Sequence, residues 1–319
     1  MKIVRTALGM ALLAAAGATL TGLAAPLYPA TDMINHFRPL ILATAGGLLA
    51  VALALRAGRL AWAGWVLTGG NAALLVLPLL WAAEPAERST AGQALAAGGS
   101  RDLKIVTFNM GFRNAAAAVR FLREEDPDIA VLQEVGHRQA AALRTGLGDR
   151  YPHMLLCLQH HCDAAILAKR SWVASGHEAW SAERPELVWV QFDDQDYGRL
   201  KLVGVHLALP FRAETQTNHV ARLTALRSGV DGPLIMAGDF NMTPWSYRQQ
   251  RLLAATGLRR HATFLRSWPT DGQYRLPVPA FLIDHVLTTP DIKSVSIRIG
   301  RPSNSDHLPV VAVVRVPKR

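Results

Sequence analysis

Six short apolar runs in the last two-thirds of this chain each carry an acid, an amide or an imidazole at one end, and this pattern restricts the fold more than any other feature. The clearest is residues 235–244, IMAGDFNMTP, where a β-like run meets Gly238 and then Asp239 and Asn241, two positions apart. In a strand, residues two apart point the same way, so these two side chains converge on one spot at the strand's end. Thr243 followed by Pro244 reads as a helix start, a hydroxyl N-cap and then proline at the first helical position. Taken alone, the run is also what an Asx-rich turn closing a strand looks like.

The run does not stand alone. Residues 104–109 (KIVTFN) end in Asn109, and residues 129–134 (IAVLQE) end in Glu134. Residues 202–207 (LVGVHL) carry His206 after a β-branched run, and residues 282–287 (LIDHVL) set Asp284 and His285 inside an apolar one. Residues 305–309 (SDHLP) open the last strand. A buried polar group costs free energy unless it is satisfied, so core strands do not ordinarily finish this way. A lone Glu134 reads as a solvated loop carboxylate, and a lone His206 or His285 as a satisfied core histidine. Six such ends together point to a site.

The ordered set TFNM, LQEV, GVHL, AGDFNMTPWS, IDHVL and SDHLPV resembles the endonuclease/exonuclease/phosphatase superfamily over about residues 101–316. That superfamily includes pancreatic-type deoxyribonucleases, exonuclease III-type repair nucleases, inositol-polyphosphate 5-phosphatases and neutral sphingomyelinases. GDFN followed by TP, and SDH followed by P, are the specific elements; NM and QE are weak alone. The resemblance implies a four-layer α/β sandwich, two packed mixed β-sheets flanked by helices, with the active site at one edge of the sheets. It also implies a phosphoric ester hydrolase that depends on Mg²⁺ or Mn²⁺.

Phosphoester hydrolysis needs a divalent cation, an oriented water, stabilisation of charged oxygens and help for the leaving group. Glu134 is the best metal ligand, a hard carboxylate for a hard cation. The resemblance places Asn109 beside it, in contact with metal or phosphate, and makes Asp306 a further ligand or a group just behind one. His307 resembles the family histidine that acts as general base or phosphate contact, and Asp284 the aspartate that orients it, a pairing that fixes one imidazole tautomer. Asp239 aligns or deprotonates the attacking water, while Asn241 and His206 donate hydrogen bonds to phosphate oxygens. Whether Asp239 or His307 is the base stays open. His285 points to the opposite face of its strand and reads as structural.

The first eighty or so residues are nearly devoid of acids and rich in Ala, Leu and Gly. Apolar stretches lie at about 4–25, 40–55 and 60–82, and a bilayer-spanning helix needs roughly 20 such residues. The middle stretch is short, but Phe37, Pro39 and the snorkelling Arg38 and Arg56 complete it. Trp62, Trp65 and Trp81 sit near the ends of the third, as interfacial aromatics do. A buried helical subdomain is one alternative; a cleavable signal peptide is another, although the first run exceeds the roughly 7–15 apolar residues of a signal core. Lys2 and Arg5 precede the first stretch, and Arg56 and Arg59 link the second to the third, so the positive-inside rule puts both on the cytoplasmic side. Three crossings then place everything after Trp81 outside, and cleavage of the first segment leaves that outcome unchanged. The expected organisation is a transmembrane region of about three helices over 1–83, a small, polar, Gly-ended linker over 84–100, and a catalytic domain over 101–319.

Within the last region, the patterns predict helices at 115–125 and 138–147, paired strands at 154–157 and 164–168, and strands at 188–192, 200–205 and 233–237. Cys157 and Cys162 flank the hairpin-like turn LQHH. Facing across it, they suit a disulfide worth about 2 kcal/mol on the entropy model, which fits an oxidising compartment. The sharper alternative is a metal site with His160 and His161. Residues 101–319 hold 28 Lys+Arg against 21 Asp+Glu, and Arg248, Arg251, Arg259 and Arg260 can form a basic face after the GDFN run. A basic surplus suits an anionic substrate or acidic lipid head groups, and equally ordinary solubility charge.

The expected protein is therefore a membrane-anchored, outward-facing phosphodiesterase acting on a phosphodiester or phosphomonoester, of lipid head-group or nucleic-acid type. An exonuclease III-like repair role is disfavoured because chromosomal DNA is not outside. The alternative is a membrane interaction protein using the same fold as a binding module. Loops near 176–186, 208–220 and 265–280 carry specificity but no legible motif.

Overall fold

The computed structural model describes residues 1–82, 100–113, 115–195, 198–262, 264–270 and 280–317. The chain divides into two compact units, Met1–Pro85 with Pro244–Gln250, and Ala86–Thr243 with Arg251–Arg319. Most of the expected 84–100 linker and of the 265–280 loop lies outside the described residues, as does the side chain of Trp81.

In the first unit, α1 (Lys2–Leu23), α2 (Arg38–Ala54) and α3 (Gly58–Ala82) are nearly uniformly apolar. A 3₁₀ segment, Pro29–Phe37, runs into α2. Three segments, Lys2–Leu23, Pro29–Ala54 and Gly58–Pro78, are long and apolar enough to cross a membrane. The middle one is longer than its apolar run suggested, because the 3₁₀ turns extend it.

The second unit holds two six-stranded sheets. Its elements are β1 (Ser100–Asn109), α4 (Ala115–Glu125), β2 (Ile129–Gln133), α5 (His137–Leu147), β3 (His153–Gln159), β4 (Cys162–Ala168), β5 (Ala174–Glu178), β6 (Glu186–Asp194) and β7 (Gly198–His206). There follow α6 (Ala213–Ser228), β8 (Leu234–Asp239), α7 (Tyr247–Thr256, whose residues up to Gln250 group with the first unit), β9 (Arg259–Arg260), β10 (Asp284–Thr288), β11 (Lys293–Ile299) and β12 (Val310–Pro317). One sheet runs β11-β12-β1-β2-β4-β3, and the other β5-β6-β7-β8-β10-β9. Period-2 alternation sorts their side chains: Leu103 and Ile105 face a core shared with Val188, Leu202, Ile235 and Val286 of the other sheet. Val106 and Phe108 point the other way, onto Phe121 and Leu122 of α4 and Leu143 of α5. Val203, Val205 and Met236 pack against Leu223 of α6 and Leu252 of α7. Burying each such side chain contributes roughly 1.5–3 kcal/mol. The result is the expected four-layer sandwich.

Register brings the polar strand ends together. Parallel β7 and β8 pair His206 with Asp239, and antiparallel β8 and β10 pair Asp239 with Asp284. Parallel β1 and β2 pair Asn109 with Gln133, leaving Glu134 one residue beyond β2. Gly238 makes the close approach possible: its φ is 152°, and a Cβ there would lie 1.9 Å from the Val205 carbonyl oxygen.

Helix α7 departs from the expected start. It begins at Tyr247 rather than Pro244, and the Thr243 hydroxyl is buried without a hydrogen-bond partner among the described residues. Ser246 is the cap instead, its Oγ accepting from the Gln249 amide at 3.3 Å. Within the first unit the fully buried Asp32 completes this cap, accepting from Ser246 Oγ at 2.8 Å, Tyr247 N at 2.7 Å and Arg248 N at 3.2 Å. A carboxylate so placed satisfies first-turn amides and favours the helix dipole. Cys157 and Cys162 are disulfide-bonded across the β3–β4 hairpin, with Cα atoms 5.5 Å apart.

Candidate active site

Asn109 ties the two sheets together at the site. Its Nδ2 donates to Glu134 Oε1 at 3.0 Å and to Asp239 Oδ2 at 3.1 Å. Asp239 Oδ2 also faces two imidazoles, with His307 Nε2 at 3.7 Å and His206 Nε2 at 4.0 Å. Each ring is held from behind by a buried carboxylate. Asp284 Oδ2 is 2.9 Å from His307 Nδ1, and Glu186 Oε2 is 3.0 Å from His206 Nδ1. Two carboxylate–imidazole pairs therefore aim at one carboxylate oxygen.

The electrostatics follow from that geometry. Burial by itself lowers the pKa of His307, but the charges of Asp284 and Asp239 and the Asp284 hydrogen bond overcome it and raise it to about 10. For His206, burial likewise lowers, while the Glu186 hydrogen bond and the charges of Asp239, Glu186 and Glu134 raise it to about 9. Asp239 is pushed up by burial and by Asp284, against the pull of both histidines and the Asn241 amide. Asp163, next to the disulfide, is also raised, by burial and then by Glu186.

The remaining expected residues occupy the same corner. Asn241, in a left-handed conformation at φ 50°, donates its backbone N–H to Asp239 Oδ1 at 2.9 Å and its Nδ2 to the Leu207 carbonyl at 3.0 Å. It thus fixes both Asp239 and the loop after β7. Asp306 accepts from Trp268 Nε1 at 3.3 Å, and a Cβ on Gly111 would lie 3.1 Å from its Oδ1. Gly111 in turn donates to Asn109 Oδ1 at 3.0 Å. His285 faces away, its Nε2 2.7 Å from the Met242 carbonyl oxygen, and burial holds its pKa down at about 3. It is structural, as its strand position implied.

Glu186 was not foreseen. The sequence pattern started its strand at Val188, whereas β6 begins at Glu186, directly across from His206. The signal was present: a hairpin pairing of two β-branched runs sets that glutamate opposite the imidazole. Its Oε1 also accepts the Asp163 backbone N–H.

The donor set suits a hard divalent cation. Glu134 offers a carboxylate beside Asn109, Asp306 offers another next to Gly111, and among the described residues Glu134 ion-pairs with no Lys or Arg. Asp239, Asp284 and His307 present ligand atoms within 4.8 Å of one another, a second acidic/histidine grouping. In that group the Asp284 Oδ1 atom is buried without a hydrogen-bond partner among the described residues. Hard oxygen donors such as these carboxylates suit Mg²⁺ or Mn²⁺.

Residues 106–307 match the Endonuclease/Exonuclease/phosphatase family. The chain belongs to that family. Solved structures of the same fold include an endonuclease/exonuclease/phosphatase from Beutenbergia cavernae, 23% identical, covering 68% of this chain and 72% of that one, with a TM-score of 0.56. Sphingomyelinase C from Streptomyces griseocarneus is 17% identical over 67% of this chain and 99% of its own, with a TM-score of 0.52. Humanized D. rerio TDP2 is 15% identical over 67% and 98%, with a TM-score of 0.55. No curated protein sequence matches.

Proposed function

We propose that this endonuclease/exonuclease/phosphatase family member is a membrane-anchored, outward-facing, Mg²⁺-dependent phosphodiesterase. The observation that carries the reading is the convergence of Asn109, His206 and His307 on Asp239, from two sheets, beside Glu134. Such an arrangement positions a water against a phosphorus and surrounds the phosphate oxygens with donors. Similar structures include a TDP2 complexed with single strand DNA product and a 2′,3′-cyclic phosphatase, chemistry of the same kind.

Of the two candidate bases, the charges favour Asp239. An imidazole held near pKa 10 keeps its proton at neutral pH, so His307 donates to phosphate rather than accepting from water. His206 does the same from the other side. Asp239, raised by burial, is the group placed to take the water's proton, while Asn241 aligns it. A divalent cation held by Glu134, with Asn109 and Asp306 beside it, would supply positive charge against the phosphate oxygens.

The test is hydrolysis of bis(p-nitrophenyl) phosphate by the full chain in detergent. Turnover should appear with Mg²⁺, vanish with EDTA and fall steeply in His307→Ala. No turnover of this diester or of p-nitrophenyl phosphate, with either Mg²⁺ or Mn²⁺, overturns the enzyme reading in favour of a binding module.

A further inference from the structure

Two tight turns leave the site, one from each sheet, and both carry the dipeptide Phe-Arg. Three residues after Asn109 comes Phe112, in a turn closed by Arg113 N donating to the Met110 carbonyl at 3.2 Å. Five residues after His206 comes Phe211, in a turn closed by Arg212 N donating to the Leu209 carbonyl at 2.9 Å. The residues from which they depart meet at Asp239, so both turns rise from one place.

The turns are fixed at their bases. Phe112 N donates to the Glu134 carbonyl at 3.3 Å. The Ala208 carbonyl accepts Gln216 Nε2 at 2.8 Å, and Ala208 N donates to His219 Nδ1 at 3.2 Å. The tips nevertheless hold apolar side chains in solvent: Phe112 is 51%, Leu209 45% and Phe211 67% exposed. Arg113 and Arg212 beside them are exposed too. Phe112 also sits at φ 51°, a left-handed conformation that a bulky L-residue adopts only under constraint, and such constraint gathers at functional sites.

We propose that the two Phe-Arg turns seat an anionic amphiphile, the phosphodiester of a phospholipid at a bilayer surface. The rings and Leu209 enter the apolar region while the arginines meet the phosphates, the division of labour of interfacial segments. This rests on the phosphodiesterase reading above and names its substrate class. Exposed rings with arginines also suit the stacking of single-stranded bases. Leu209, sharing the tip with Phe211, has no π face for a base. The same chain also carries three helices apolar enough to cross a membrane. Both observations favour lipid. In the reaction the water oxygen bonds to phosphorus, one P–O bond breaks and the departing oxygen takes a proton, giving a phosphomonoester and an alcohol.

The experiment compares kcat/KM of the full chain on phosphatidylglycerol and phosphatidylcholine in mixed micelles, on bis(p-nitrophenyl) phosphate, and on a single-stranded oligonucleotide. Two double variants are used, Phe112→Ser with Phe211→Ser, and Phe112→Leu with Phe211→Leu. The lipid-to-soluble-diester ratio should fall about tenfold or more in the serine variant, while leucine, apolar but unable to stack, should hold it within about twofold. An unchanged ratio in the serine variant overturns the proposal. So does cleavage of the oligonucleotide but not the lipids, with both variants impaired on it. Absence of wild-type turnover on the soluble diester instead strikes the phosphodiesterase reading itself.

Discussion

Glu186 Oε2 lies 3.0 Å from His206 Nδ1, with the glutamate almost wholly buried and the ring's Nε2 turned toward Glu134 and Asp239. This pair mirrors Asp284 and His307 across the site. Replacing Glu186 with Gln keeps the hydrogen bond's shape but removes the charge that helps hold His206 protonated. Activity should fall about 10–100-fold, as for other groups that orient a site imidazole. The alkaline limb of the pH–rate profile should also move to lower pH, since His206 would lose its proton earlier. An unshifted limb would show that His206 does not act as a cation.

Asp284 and His307 should behave as one unit. Removing a general acid–base group or its partner typically costs about 10²–10⁴ in rate. Residues acting together are non-additive, so the double alanine variant should resemble the worse single one. Turnover of a soluble diester by wild type, both singles and the double decides the matter. Losses that multiply would mean that the 2.9 Å contact has no catalytic consequence.

Most of the polar cluster at this candidate site was legible in the sequence because each of those side chains sits at one end of a conspicuous apolar run. TFN, QE, GVH, GDFN, IDH and SDH announce themselves by breaking the alternation. Glu186 escaped because, in the local sequence ERPELVWV, it reads as a loop carboxylate ahead of the run, and only β6–β7 pairing reveals its partner. The edge strands β5 and β11, ASGHE and KSVSIRI, have little apolar alternation to read, since they are largely exposed. The start of α7 was misplaced for a different reason. Thr243-Pro244 is a sound local cap, yet Ser246 and the distant Asp32 supply better acceptors, a choice that no local window contains.

Without metal, stability should fall at alkaline pH. His206 and His307 carry folded-state pKa values of about 9 and about 10 against an ordinary 6.5. A raised folded-state pKa gives stabilisation that is complete below the unfolded value and fades as pH climbs through the folded one. In EDTA the thermal midpoint should therefore decline between about pH 7 and pH 10, and His307→Gln should flatten that decline. A midpoint level across the window would mean that both rings are neutral in the fold.

If Glu134 is the main anionic ligand, as proposed, Glu134→Gln should abolish activity at low Mg²⁺ while preserving shape. If Glu134 acts by binding, raising Mg²⁺ should restore part of the rate, because weakened affinity is offset by mass action. A rate that stays low at saturating Mg²⁺ would assign Glu134 to the chemistry instead. Full activity at low Mg²⁺ would remove it from the metal site.

The topology is open to a direct test. Lys2 and Arg5 lie at the start of α1, and Arg56 and Arg59 at the junction of α2 and α3, while the junction of α1 and α2 carries Asp32 and Arg38. If all three candidate spans cross, the positive-inside rule predicts from that asymmetry that the chain's remainder lies outside. Alkaline phosphatase fused after Arg319 should be active in cells, and a green fluorescent protein that matures only in the cytoplasm should stay dark. The Cys157–Cys162 disulfide gives an independent check, since such bonds persist in oxidising compartments and are rare in the cytosol. Blocking thiols in intact cells should leave both cysteines unlabelled until a reductant is added. A bright fluorescent fusion together with freely labelled cysteines would place the catalytic unit in the cytoplasm and reverse the orientation.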